Sequence, residues 1–300
     1  MRALAGTAIV ASVALPLARR RFRLPRAASV AATVAGPVGL AVLRPRTKLR
    51  DATLFAMQMW AFTVLHELPY DDPERLRARL HVRYPIRADR LLGLGQLPSI
   101  RLQRALSRRR GVGLLNRALA MVHWAWFFEP HLALVWILVW RNHRFAHAAR
   151  QLAAAYDIGC AVYFLVPTAP PWWAAENGYI EDDVRRVMVE VGEEVWGDAW
   201  PRLYDALGGN PWAAMPSLHF ATSLLAAKLL AESSPAAGAV GYGYAGALGF
   251  ALVYLGEHYA IDLIAGAALV AAVRLGEPLV EPAALRLSDA IQRLERVANG

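Results

Sequence analysis

Apolar runs of helix length alternate with short basic or proline-rich breaks along most of the chain. Two Ala/Gly/Val-rich runs, roughly 3–18 and 27–43, flank the basic Arg19-Arg20-Arg21-Phe22-Arg23. Both are shorter than the roughly 20 residues that cross a bilayer comfortably, so one reads as a span and the other as an interfacial or uncleaved anchor segment. The heavier charge follows the first run, the reverse of a cleaved secretory signal. Residues 51–66 predict a short apolar helix carrying Met57, Trp60, Phe62 and Leu65. The most polar stretch is 67–112, with eleven Arg against five acids. Its Asp71-Asp72-Pro73-Glu74 has the acids and first-turn proline of a helix start. The stretch reads equally as surface helices against headgroups or as an extramembrane loop with solvated charges.

The pattern sharpens beyond residue 113. Residues 114–140 are apolar, with Trp124, Trp126, Trp136 and Trp140, and Pro130 within Glu129-Pro130-His131 is expected to kink or break that helix. Glu129 and His131 read as an interfacial or satisfied polar pair. Arg141 to Arg150 form a basic flank in which His143 and His147 are expected to be solvated, and 151–167 predict the next span. Residues 168–212 interrupt with a Pro170-Pro171-Trp172-Trp173 cluster, which forbids continuous helix. Spans near 213–231, 238–256 and 258–275 follow, and the tail from Arg274 is amphipathic. The whole predicts an all-α, polytopic membrane bundle of about six transmembrane helices with interfacial helices. It divides into N-terminal anchor segments with the Arg-rich region (1–112), a membrane core (113–276) and an amphipathic cytoplasmic tail (277–300).

Composition supports the membrane reading. Hydrophobic residues make up 56% and charged residues 19%, with a mean hydropathy of +0.28, the balance of a chain that buries most of its length in lipid. The net charge of +9 comes from 31 Arg and two Lys. It sits beside apolar spans and not among aromatics on a polar face, so it marks membrane flanks and excludes nucleic acid as the expected partner. The single cysteine, Cys160, allows neither a disulfide within the chain nor a cysteine metal site. Residues 168–212 hold nine acids and three Arg, so the positive-inside tendency places this loop outside the cell membrane.

That topology puts two histidine stretches at the same, outer end of their helices. One is Met215-Pro216-Ser217-Leu218-His219-Phe220; the other is Gly256-Glu257-His258-Tyr259-Ala260-Ile261-Asp262. His258 and Asp262 stand four residues apart, sharing a helix face at about 5–6 Å between Cβ atoms. The carboxylate can accept the imidazole Nδ1–H, fix the tautomer and leave Nε2 as nucleophile or base. His219 could then supply a proton to a leaving group. Taken alone, the pair reads equally as part of a reaction centre or as a structural feature, a buried hydrogen-bonded couple or half a metal site. A His/Asp metal-binding transporter and a non-catalytic scaffold with a degenerate site are the competing readings.

Pro216-Ser217-Leu218-His219 and His258-Tyr259-Ala260-Ile261-Asp262-Leu263-Ile264-Ala265-Gly266 resemble the second and third signature motifs of the type 2 phosphatidic acid phosphatase superfamily. Their wording, with the upstream Pro-x-x-Pro-Pro-Trp, is closer to its inositol phosphorylceramide synthase (inositolphosphotransferase) branch. The resemblance covers about residues 150–275. It implies a helical membrane bundle and metal-independent phosphoryl transfer on a lipid phosphate or phospholipid, with no cofactor. Carried over, His258 attacks phosphorus to give a phosphohistidine, Asp262 orients it, His219 protonates the leaving oxygen and Ser217 contacts the phosphate. The first motif, a Lys with Arg-Pro seven residues on, has no match, and Ala251-Leu252 stand where the third has Ser-Arg. Arg185 and Arg186 in the outer loop are the candidates for the missing phosphate clamp.

Overall fold

The structure, a computed structural model, describes residues 2–106, 112–207 and 210–299. They form fifteen α-helices and two short 3-10 turns, and no strand occurs among them. An N-terminal trio comprises α1 (Arg2–Phe22), α2 (Arg26–Leu43) and α3 (Lys48–Glu67). Short surface helices follow: α4 (Pro73–Arg77), α5 (Arg83–Leu92) and α6 (Pro98–Leu106). Then come α7 (Leu114–Ala125), α8 (Glu129–Trp140) and α9 (Asn142–Leu165). The intervening segment holds α10 (Pro171–Glu176), α11 (Val187–Trp196) and α12 (Trp200–Leu207), before α13 (Leu218–Ala231), α14 (Pro235–Tyr254) and α15 (Ala260–Asn299).

Local chemistry sets several boundaries. Thr47 and Ser234 accept the backbone N–H of Arg50 and Ala237 as N-caps, and Pro235 occupies the first turn of α14, where its missing N–H costs nothing. Asp72 caps α4 the same way, at the start that the Asp-Asp-Pro-Glu run predicts. The described residues of 67–112 thus include three short helices.

α13 is the axis of the bundle. Its Ala221, Leu225 and Ala227 are fully buried, and its core cluster joins Leu134 and Ile137 of α8, Leu152 and Tyr156 of α9 and Leu269 to Val273 of α15. α14 lies almost in backbone contact with it. A Cβ on Gly238 would fall 2.4 Å from Ala231 Cα, and one on Gly241 2.8 Å from Ala227 Cα. Small residues are the usual means of close helix packing in lipid, where water exclusion between apolar faces contributes little.

Among the described residues, four helices are long and apolar enough to cross a membrane: α1, α2, α14 and α15; α7 and α8, bent by 51° at the break before Pro130, make a fifth if taken as one span. The all-helical membrane bundle expected from the sequence is what these helices form. α1 and α2 both reach span length. α9 carries the basic flank inside its first turns, so its first half is polar. α13 has 14 residues, about 21 Å of helix against a hydrocarbon core of roughly 30 Å; it survives by being enclosed in protein. Large apolar side chains are left exposed on α1 (Leu4, Val10, Leu17) and on α15 (Leu275, Leu279, Val280), as a lipid-facing surface requires.

The end of the bundle away from the histidine stretches is tied by charge. His147 lies 2.9 Å from Glu277, so it is paired and not simply solvated, and Arg150 lies 3.4 Å from the same carboxylate. Arg274 reaches Gln151 at 3.0 Å and pairs with Glu232. α15 runs on through Pro278 and Pro282, so the helix crosses the 276/277 boundary drawn from the sequence without a break.

Candidate active site

Two helix starts meet at the opposite end. Ser217 caps α13 by accepting the Phe220 N–H, while its own N–H donates to Asp262 O at 3.0 Å. This bond and the bare Cα of Gly266 bring α15 against α13; a Cβ there would stand 2.8 Å from Ser217 O. Tyr163 of α9 donates to Pro216 O at 2.7 Å and receives the Leu218 N–H at 3.3 Å. Between α14 and α15 the chain reverses at Gly256, whose φ of +79° suits glycine. The N–H groups of Glu257 and His258 both donate to Leu252 O. Asp89 of α5, fully buried, accepts the Ile261 N–H at 2.9 Å and so caps α15 from another helix. Burial raises the Asp89 carboxyl to about 6.

The three side chains singled out from sequence stand in one line. Asp262 Oδ2 lies 3.2 Å from His258 Nδ1 and accepts the Tyr259 N–H at 2.9 Å. His258 Nε2 lies 3.2 Å from His219 Nδ1, with ring centroids 5.3 Å apart. Asp262 is fully buried and His258 4% exposed. With the carboxylate accepting from Nδ1, the proton of a neutral His258 sits there and Nε2 keeps its lone pair. The contact with His219 is then completed by a proton on His219 Nδ1. The arrangement pairs a basic nitrogen with a poised donor.

His219 is held from the other side by residues that the sequence reading passed over. The His123 ring of α7 stacks on it at 4.9 Å and 30°, and the Trp126 ring lies 4.1 Å away with its Nε1–H donating to Thr222. His123 is buried. The signal for it was an ionisable residue inside an apolar run; its distance from the motif stretches hid its role.

The two candidate cations diverge. Arg185 turns its guanidinium to Glu190, and its backbone N–H and C=O are both held by Gln103. Arg186 sits over the Trp172 ring at 3.8 Å, donates to Tyr204 Oη at 2.8 Å and lies 3.4 Å from the Glu176 carboxylate. Its Nε–H is buried without an acceptor. Trp172 in turn donates its backbone N–H to Gly256 O, which docks the proline-tryptophan segment onto the turn before His258. Glu257 also occupies this turn, and burial lifts its carboxyl to about 7 against the opposing pull of Arg186 and His258.

Glu129 and His131 do not join the line. Each keeps one buried atom without a hydrogen-bond partner, Glu129 Oε2 and His131 Nδ1, while Glu129 also interacts with Ser223 and His131 with the backbone of Phe127. Tyr259, the residue after His258, is fully buried. Among the described residues no group of three His, Cys, Asp or Glu is placed to hold a metal ion.

A family model described as the PAP2 superfamily matches residues 86–275, from within α5 to the middle of α15, and includes both histidine stretches. No curated protein and no solved structure matches the chain.

Proposed function

The chain belongs to the PAP2 superfamily, and on that footing we propose that it is an integral membrane lipid phosphotransferase or lipid phosphate phosphatase working through a phosphohistidine. Membership supports phosphatase or phosphotransferase chemistry on lipid phosphates; the assignment of roles rests on one observation, the Asp262–His258–His219 line with 3.2 Å at each step.

His258 Nε2 attacks phosphorus, forming the P–N bond as the P–O bond to the leaving group breaks. Asp262 holds the Nδ1–H and stabilises the positive charge that grows on the ring. The leaving oxygen takes the proton from His219. Water or an alcohol then gives its proton back to His219 and attacks phosphorus, freeing His258. Two ring nitrogens in hydrogen-bond contact leave no room for a phosphate between them, so substrate entry displaces the His219 ring from His258. Ser217 still has its O–H to donate to a phosphate oxygen while its lone pairs serve the helix cap.

Arg186 is the better clamp of the two arginines, because its buried Nε–H has no acceptor and a phosphate oxygen would supply one. Arg185 is committed to Glu190, and the Glu176 carboxylate at 3.4 Å from Arg186 Nη1 leaves the Nε–H free for phosphate. The transferase-like branch is favoured by the Pro-Ser-Leu-His wording and by the packing of Trp172 against the catalytic turn. Near-complete burial of His258 also favours a bound alcohol acceptor over bulk water. The acid-rich 168–212 segment supports an outward-facing site.

Purified full-length protein is incubated with labelled phosphatidate, phosphoinositides and polyprenyl phosphates, with and without acceptor alcohols. Wild type turns over one of these, retains activity in EDTA and yields an acid-labile 32P-phosphoprotein; His258→Ala does neither. A His258→Ala protein with undiminished turnover sinks the proposal.

A further inference from the structure

The surface of α5 turned away from α15 carries a feature the catalytic reading leaves unused. Arg83, Arg87 and Arg90 recur at i, i+4 and i+7, which lines them on one helix face. They border a cavity of about 370 Å³ closed on its other side by Asn177, Gly178 and Tyr179, just after α10. Among the described residues, none of the three guanidinium groups has an ion pair or hydrogen bond. The acid of α5, Asp89, faces the other way and is spent on the Ile261 N–H. The acid-rich run beyond Tyr179 does not neutralise them either: its Asp182 pairs with Arg104 of α6. Three like charges on a ten-residue helix repel one another, and a fold that keeps them converging on one cavity leaves that repulsion for a ligand to relieve.

We propose that this cavity is a second anion subsite that takes the phosphate ester of a phosphorylated headgroup, separate from the catalytic histidines. Guanidinium forks match phosphate oxygens in pairs. A volume of this size holds a polar headgroup and not only a bare ion. The far side is held in place by Asn177, whose oxygen receives Arg77 at 3.4 Å and whose amide N–H donates to Trp173 O at 2.9 Å, and Tyr179 completes the lining. The subsite lies at the catalytic end of the bundle. Ile86, which also lines the cavity, belongs to one hydrophobic cluster with Tyr259, the residue after His258. The same phosphate chemistry comes from a membrane lipid or from a soluble phosphate ester.

The test uses full-length protein in neutral detergent carrying His258→Ala and Arg186→Gln, so that binding at the catalytic centre is disabled. Calorimetric titrations are run with inorganic phosphate, glycerophosphate and short-chain phosphatidate, with short-chain phosphatidylcholine as the zwitterionic control. Saturable binding is expected for at least one phosphate monoester, weakened by salt as an exposed charge cluster demands. Adding Arg83→Gln, Arg87→Gln and Arg90→Gln lowers the affinity at least about tenfold. Binding of glycerophosphate or phosphate identifies a soluble source, and binding of phosphatidate alone identifies the lipid. The arginines are exposed, so the fold should tolerate the change, and Arg87→Gln alone with unchanged helical circular dichroism repeats the test with minimal disturbance. Equal affinity in the arginine variants, equal binding of phosphatidylcholine, or no binding by any phosphate probe overturns the proposal. Each result is independent of whether His258 proves catalytic.

Discussion

Replacing Gly266 by alanine tests the closeness of α13 and α15 at the site. The added Cβ would stand 2.8 Å from Ser217 O and 3.5 Å from both the Cβ and the backbone N of Ala221. A carbon–oxygen contact closes at about 3.3–3.6 Å, so the two helix starts must part by roughly half an ångström. Two effects on stability oppose each other. Alanine in a helix interior gains about 0.8–1.0 kcal/mol over glycine, while overpacking costs about 1–3 kcal/mol; the net is a loss of roughly 0–2 kcal/mol. Activity should suffer more. The His219–His258 contact spans these two helices, and a misplacement of about 1 Å costs on the order of 100-fold, so half of that predicts about a tenfold fall in kcat with KM little changed. Initial rates on the labelled lipid phosphate and thermal unfolding are measured beside Gly276→Ala, on the same helix but in open space, which should keep its rate and melt no lower. Gly266→Ala with wild-type kcat would refute the claim that the spacing of these helices sets the geometry of the site.

The other predictions concern single groups. Asp262→Asn loses the acceptor that fixes the His258 tautomer and should lower kcat by about two to four orders of magnitude with the helical spectrum intact; a loss below tenfold rejects the orienting role. His123→Ala opens space behind His219 and should reduce kcat about tenfold, whereas His123→Phe, which refills the stack, restores most of it; equal rates for the two variants would deny the ring a supporting role. Glu257 has a carboxyl raised from 4.5 to about 7, so between those values the native protein binds a proton that the unfolded chain releases. Its contribution is full below about pH 4.5 and fades as pH rises through about 7, at most roughly 3.5 kcal/mol at about 1.4 kcal/mol per pH unit. Glu257→Gln should flatten that part of the stability profile in thermal scans from about pH 5 to 8; an unchanged slope removes burial of this group as its cause.

Much of the architecture was legible in the chain. Apolar runs of helix length, the Pro130 break and the Ser217 and Asp72 caps follow from hydropathy and from the few residues that can serve an orphan N–H. Hydropathy along one segment does not say how that segment is covered by its neighbours. The polar first turns of α9 and the short α13 are stable because neighbouring helices cover them, and coverage is not written in a single segment. His147 shows the same limit: its partner Glu277 lies 130 residues away along the chain, so the local sequence offers only solvent.

The site divides along the same line. The sequence by itself determined the parts with short-range logic: the i, i+4 couple of His258 and Asp262, the capped turn that presents His219, and the glycine at 256 that lets the chain reverse before it. Only the tertiary structure decided that two imidazole nitrogens from different helices stand 3.2 Å apart, that His123 backs one of them and Asp89 caps the helix of the other, and that Arg186 rather than Arg185 keeps an unclaimed donor. The physical reason is range. Backbone hydrogen bonding and side-chain periodicity act over a few residues, whereas the distance between α13 and α15 is set by the packing of Gly266 against Ser217, a contact between residues 49 positions apart that no local rule specifies.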